Sequence, residues 1–172
     1  STSRRQRQMC IRDSNYTAST RLILKQCGLS DEDIDNRLIK VHGEASNNDI
    51  IFGVEDNAGI KKEHVFLRKA YNIKYKALNF SELYDRIKSV AIFGHSLGET
   101  DHTYFNKLFQ ESCMYNKFST NNNKEFWLFY YKENGYHCMM QQLDSLTHNS
   151  LTSFRQYNRV NFINTDKEKV FI

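Results

Sequence analysis

The chain has 172 residues, of which 40% are hydrophobic and 26% charged, with a formal net charge of +4. That length suits one domain or part of a larger one, and the 12 Phe, 10 Tyr and 1 Trp exclude a disordered chain. No apolar run approaches the roughly 20 residues that span a bilayer, and no signal peptide opens the chain, so we expect a cytoplasmic protein without membrane contact.

Residues 1–14 read STSRRQRQMCIRDS and differ sharply in composition from the rest of the chain. This string resembles translated sequencing-adapter sequence, which contaminates reading frames assembled from environmental DNA, and we therefore exclude it from fold reasoning. We then expect the natural protein to continue upstream. Residues 15–165 would be the C-terminal portion of a single α/β domain, and residues 166–172 would be a tail.

The alternative interpretation of this segment is a basic arm for nucleic acid, formed by Arg4, Arg5, Arg7 and Arg12. Without residues 1–14 the chain carries 20 basic and 19 acidic residues, a net charge of +1. The electrostatic argument for a nucleic-acid partner then largely disappears.

Apolar patterns of strand and helix type alternate along the rest of the chain. Ser30, followed by three acidic residues, is typical of a helix N-cap. The predicted elements, in chain order, are strands over 37–42 and 50–54, helices over 63–76 and 81–88, a strand over 90–93 buried on both faces, a helix over 100–111, a strand over 126–131, helices over 136–147 and 151–157, and a strand over 159–163. This alternation predicts a layered α/β fold with a mainly parallel, Rossmann-like sheet.

The stretch VAIFGHSLGETDHTYF, residues 90–105, reads as a strand, a glycine turn and a helix. The turn from Gly94 to Asp101 would lie at the carboxyl end of a strand, where open α/β sheets bind ligands. Glu99 and Asp101 would repel a phosphate there, so a ribose beside Asp101 is the easier ligand to place. Alternatively, Asp101 caps the helix.

The same turn matches G-x-S-x-G, the nucleophile elbow of α/β-hydrolases, with Ser96 as nucleophile. The candidate partners would be Asp144 with His148, or Asp101 with His137. The large polar residues after the elbow argue against this alternative. We keep a serine hydrolase as an alternative function.

A second segment, His42-Gly43, follows a predicted strand and could place an imidazole in a cleft. Taken alone, His42 also fits a purely structural histidine. The other histidines in the chain have no shared ligand spacing, and the four Cys contain no C-x-x-C pair, so we predict no metal site.

The ordered pair of His-Gly with IIFG, followed by GHSLGETDHTYF, resembles the AbiH family of bacterial phage abortive-infection proteins. The resemblance runs from about Leu38 to Phe109. AbiH proteins are in turn distantly similar to sirtuin-like proteins, which bind NAD on a Rossmann-like domain.

The resemblance implies an anti-phage protein that binds NAD and hydrolyses it as a glycohydrolase does. His42 would be the base acting on a ribose hydroxyl, and Ser96, the second residue predicted to be catalytic, would hold the sugar together with Asp101. The cofactor-binding residues implied in this way are Gly43, Gly94, His95, Ser96 and Asp101. The sirtuin zinc cysteines are missing, which argues against a deacylase.

One feature departs from the sirtuin-like pattern, because the sequence contains no G-x-G-x-x-G turn for the pyrophosphate. A third function also stays open beside the nucleotide site and the hydrolase, on the basis of the aromatic and Asn-rich surface. It is a non-enzymatic module that senses a phage component. The sequence does not fix the oligomeric state.

Overall fold

The computed structural model describes residues 11–13, 17–51, 53–54, 58–71, 84, 87–114 and 123–167. Its contacts divide the chain into two compact units, Ser1–Leu78 and Asn79–Ile172. Both contain parallel strands together with helices, which confirms the predicted α/β class. Among the described residues, no helix has both the length and the apolar character needed to cross a membrane.

The first unit contains a two-stranded parallel sheet of β1 (Ile11–Asp13) and β2 (Leu38–Lys40). Between them lie α1 (Ser19–Gln26) and α2 (Asp31–Arg37). The predicted cap of α2 is confirmed, since the Ser30 side chain accepts a hydrogen bond from the Asp33 N–H at 3.1 Å. The rest of this unit is short 3-10 turns at Ala45–Asn47, Lys62–Leu67 and Lys69–Tyr71.

Strand β1 corrects the exclusion of residues 1–14 from the fold. Asp13 is 4% exposed, and its carboxylate forms an ion pair with the Lys40 ammonium at 2.7 Å. The Asp13 carbonyl also accepts a hydrogen bond from the Val41 N–H. A strand of three residues whose buried member is charged has no apolar period, so periodicity could not reveal it.

Two further predictions in this unit differ from the structure. The strand expected over 50–54 is represented among the described residues only by a bridge between Val54 and Arg68. The helix expected over 63–76 is replaced by 3-10 turns up to Tyr71, and its remainder lies outside the described residues. Most of the helix expected over 81–88 also lies outside them.

The second unit is a three-stranded parallel sheet in the order β3 (Ser89–Ile92), β4 (Glu125–Tyr130) and β5 (Arg159–Asn164). The connections are α3 (His102–Ser112), then α4 (Lys132–Leu146) and α5 (Leu151–Tyr157). Strand β3 begins at Ser89 opposite Glu125, which lies opposite Arg159. The three strands therefore start level at one edge of the sheet.

One core joins the helices to this sheet. Phe109, Phe126 and Phe154 are fully buried, with ring centroids 4.8 to 5.6 Å apart. Burying each such ring contributes about 1.5–3 kcal/mol. Leu97, Leu108, Leu128, Leu143 and Leu146 complete the centre of the same cluster.

The prediction that β3 is buried on both faces is wrong. Within the described sheet it pairs only with β4, and Ser89 and Ala91 are exposed while Ile92 is buried. Apolar residues on the outer face, Ala91 and the following Phe93, make the sequence look uniformly apolar, although this face lies outside the core. Gly135, predicted to start a turn, lies inside α4.

A buried polar network joins the residues that precede the three strands. The Lys124 ammonium donates to the carbonyls of Tyr84 at 2.7 Å and Ile87 at 2.9 Å, and lies 3.8 Å from the Tyr84 ring centroid. The Lys124 N–H donates to the Asn158 side chain at 3.2 Å. The Asn158 amide nitrogen donates to the carbonyls of Ser112 and Phe154. Asn158 therefore ties β4, α3 and α5 together.

Replacing Asn158 by Ala should lower the free energy of unfolding of the second unit by about 3 kcal/mol, because three buried backbone groups lose their partner. The matched control is Gln156→Ala, which removes an exposed amide side chain two residues earlier, in α5. Urea unfolding followed by the fluorescence of the single Trp, Trp127 in β4, measures both. Equal stabilities of the two variants would contradict the role of this network.

Candidate functional site

The turn between β3 and α3 carries most of the predicted site residues. It leaves the sheet through Phe93 and Gly94, and Gly94 has φ +66°. Leu97 also has a positive φ, +55°, and its side chain is completely buried in the core. Packing of the Leu97 side chain into the core offsets this unfavourable backbone conformation. With Leu97 turned inwards, Ser96 lies exposed on the outer side of the turn.

His95 and Asp101 are brought together inside this turn. The His95 Nδ1 accepts a hydrogen bond from the Leu97 N–H at 2.9 Å, and its Nε2 lies 3.2 Å from the Asp101 carboxylate. Because a backbone N–H can only donate, the proton of a neutral His95 is on Nε2 and points to Asp101. The imidazole ring also packs edge-on against Phe105 at 5.3 Å.

This pairing changes the predicted roles of both residues. Asp101 stands at the N-cap position of α3, yet its side chain makes no capping hydrogen bond. Its carboxylate binds His95 instead, which decides against the capping alternative. Both ring nitrogens of His95 are used within the turn, so this residue stiffens the turn that displays Ser96.

A third connection fixes the start of α3, and the sequence did not reveal it. The His102 Nε2 lies 3.1 Å from the Leu97 carbonyl and 2.8 Å from the Gln142 side-chain oxygen. The Leu97 carbonyl can only accept, so this nitrogen of His102 is a donor. Gln142 lies 40 residues further along the chain, and no local pattern could have linked it to the turn.

The geometry does not support Ser96 as an activated nucleophile. Among the described residues, no imidazole makes a hydrogen bond to its hydroxyl, and the nearby His95 and His102 hold other partners. The positive φ falls on Leu97 rather than on Ser96. A sequence can therefore match G-x-S-x-G without building a nucleophile elbow.

The expected triad partners are also occupied elsewhere. His137 lies against Glu133 at 3.8 Å on the surface of α4. His148 lies 3.0 Å from the Gln110 side chain and is exposed. Cys113 is no better as a nucleophile, because burial raises the pKa of its thiol and keeps it protonated.

His42 and Gly43 lie in the first unit, in the loop that follows β2. His42 is 6% exposed, and its carbonyl accepts the Ile51 N–H at 2.9 Å. Gly43 has φ +74°, and a Cβ there would lie 2.1 Å from the Asp49 carbonyl oxygen. The Asp49 carboxylate accepts the Glu44 N–H at 2.7 Å. The loop is therefore closed on itself around His42.

No metal-binding group of three or more His, Cys, Asp or Glu occurs in the part of the chain that the structure describes. The predicted site residues thus fall into two sets. Those of the turn lie together in the second unit, and His42 with Gly43 lies in the first.

Replacing Gly43 by Ala should open the loop around His42, because the new methyl group collides with the Asp49 backbone. Gly28→Ala is the matched control, since Gly28 also has a positive φ, +85°, but nothing lies within 4 Å of its Cβ position. Hydrogen exchange of the Ile51 amide should accelerate at least tenfold in the Gly43 variant alone. Unchanged exchange there would contradict this account of the loop.

A fluorophosphonate probe should not label Ser96, because no imidazole is placed to take the hydroxyl proton. Mass spectrometry of the treated chain tests this, with an authentic serine hydrolase as positive control. Labelling of the chain that disappears in Ser96→Ala would reinstate the hydrolase alternative.

Comparison with known proteins gives one result that bears on these residues. No curated protein and no solved structure matches the chain. The family described as bacteriophage abortive infection AbiH matches residues 3–131, which include His42, the turn after β3 and most of the segment interpreted as a sequencing artefact. The match covers about three quarters of the sequence, so the chain belongs to the AbiH family of bacteriophage abortive infection proteins.

Proposed function

We propose that the chain acts in abortive infection by binding NAD at the turn between β3 and α3 and hydrolysing it in the cytoplasm. The observation that carries this proposal is the exposed Ser96 hydroxyl, which a braced turn displays beyond the carboxyl end of a parallel strand. Ligands of open α/β sheets bind at such strand ends. A ribose, with adjacent hydroxyls, is a suitable partner for a serine hydroxyl.

The charge of the turn favours the sugar over the phosphates of the ligand. Glu99 is exposed at the start of the helical segment, and the Asp101 carboxylate is 21% exposed. Two carboxylates would repel a pyrophosphate placed against them, whereas they accept hydrogen bonds from sugar hydroxyls.

In the proposed reaction, water replaces nicotinamide at the anomeric carbon of the ribose, which yields ADP-ribose, free nicotinamide and a proton. Ser96 would hold the sugar at the turn, and a general base would act on a ribose hydroxyl or on the water. The family resemblance implies His42 for that role. Depletion of NAD would then halt an infected cell before new phage matures.

The test measures NAD binding by calorimetry and nicotinamide release by chromatography. Ser96→Ala should weaken NAD binding about three- to tenfold, the value of one hydrogen bond, and Ser145→Ala, an exposed serine on α4, should not. His42→Gln should lower nicotinamide release at least a hundredfold with little change in binding. The control for the loss of an imidazole is His137→Gln, at an exposed position of α4.

The same variants should be expressed in phage-challenged cells, with NAD levels and phage yield followed together. If purified chain neither binds nor cleaves NAD while the cells remain protected, the NAD proposal is wrong. A non-enzymatic module that senses a phage component would then be the better account.

A further inference from the structure

The residue directly before the turn, Phe93, is an aromatic side chain that the core does not use. It follows the last residue of β3, and 56% of it is exposed. Strand alternation explains the orientation, because Ile92 points into the core and its neighbour must point away. Burying a whole ring of this kind is worth about 1.5–3 kcal/mol, so covering the exposed part of Phe93 with a ligand would be stabilising.

Phe93 is held in place by the adjacent strand. Its ring meets Phe129 of β4 edge-on, with centroids 5.5 Å apart and an interplanar angle of 68°. Trp127 lies two residues before Phe129 and pairs with Ala91 in the register of the sheet, so it shares this side of the sheet. An edge contact supports Phe93 from one side, so the exposed part of the ring is already oriented.

Gly94 and His95 separate Phe93 from Ser96 along the chain. Apart from its two chain neighbours, nothing lies within 4 Å of the Gly94 Cβ position. Gly98 lies on the far side, where a Cβ would be 3.4 Å from the Ser96 hydroxyl oxygen. Gly94 adds no side chain between the aromatic ring and the hydroxyl, and the His95 imidazole is held within the turn by Leu97 and Asp101.

We infer that Phe93 is the stacking surface for the aromatic base of a ribonucleoside whose sugar lies at Ser96. This inference rests on the proposed function and adds a base-binding residue to it. A planar, uncharged or cationic ring suits a place that combines an exposed aromatic side chain with the negative charge of Glu99 and Asp101. Adenine and nicotinamide share this chemistry, and the experiment distinguishes them.

The experiment titrates the chain with adenosine, nicotinamide riboside, NAD and free ribose, using quenching of Trp127 fluorescence and calorimetry. Phe93→Leu keeps an apolar side chain but removes the stacking ring, and Phe93→Tyr keeps the ring. Phe66→Leu, an exposed aromatic position in the first unit, is the matched control.

Phe93→Leu should weaken binding of the nucleoside that stacks there by about tenfold, within the range measured for aromatic stacking of bases. Phe93→Tyr and Phe66→Leu should bind as the unchanged chain does, and ribose affinity should be the same in all variants. The nucleoside that loses affinity identifies the base.

Each of the other outcomes contradicts the inference about Phe93, the proposed function, or both. If NAD binds but Phe93→Leu leaves every affinity unchanged, the inference is wrong and the proposed function stands. Equal weakening of ribose and nucleosides would give Phe93 a structural role only, which also overturns the inference. If a nucleoside binds through Phe93 and NAD does not, the proposed function falls and the base site remains. A chain that binds none of the four ligands overturns both.

Discussion

The second unit depends on one buried lysine. Lys124 enters β4 with its ammonium against two carbonyls of the segment before β3 and with its backbone N–H on Asn158. Burial of a charged group is costly unless all of its donors are satisfied, so this arrangement tolerates little displacement. It fixes where β4 begins relative to β3 and β5. Because the three parallel strands run side by side, the same contacts also determine the position of Phe93 and of the turn after β3, at the carboxyl ends of the strands.

At the carboxyl ends of the strands, Leu97 divides the turn after β3 into an inner half and an outer half. The buried leucine side chain anchors the inner half, and His95 with Asp101 and His102 with Gln142 brace it through hydrogen bonds and an ion pair. The outer half is left with Ser96 and two glycines. The polar residues that look catalytic in the sequence are thus mostly used to hold the turn. The serine hydroxyl is what the turn presents, and presentation of a hydroxyl suits binding better than nucleophilic attack.

The sequence predicted those parts of the fold whose apolar pattern is long enough to be unambiguous. Strands β4 and β5 and helix α5 lie within a residue of their predicted bounds. The failures share a cause, which is that tertiary contacts decide short segments. The Asp13–Lys40 ion pair stabilises a strand of three residues. In β3, an apolar sequence predicted burial on both faces, although one face is exposed. The motif residues were found, but the pairing of His102 with Gln142 and the exposure of Phe93 required the fold.

In the proposed function, the distribution of charge and glycine limits which part of a nucleotide this turn would bind. The sequence contains no G-x-G-x-x-G turn to approach a pyrophosphate, and the turn after β3 carries carboxylates where a phosphate site would carry N–H groups and cations. Both observations argue against a phosphate-binding site at the turn after β3. In the proposed site, Phe93 would contact a base and Ser96 a sugar, with Gly94 and the turn-bound His95 between them. Recognition of the nucleoside half would then be physically separate from recognition of the phosphates, and variants of Phe93 and Ser96 address the first alone.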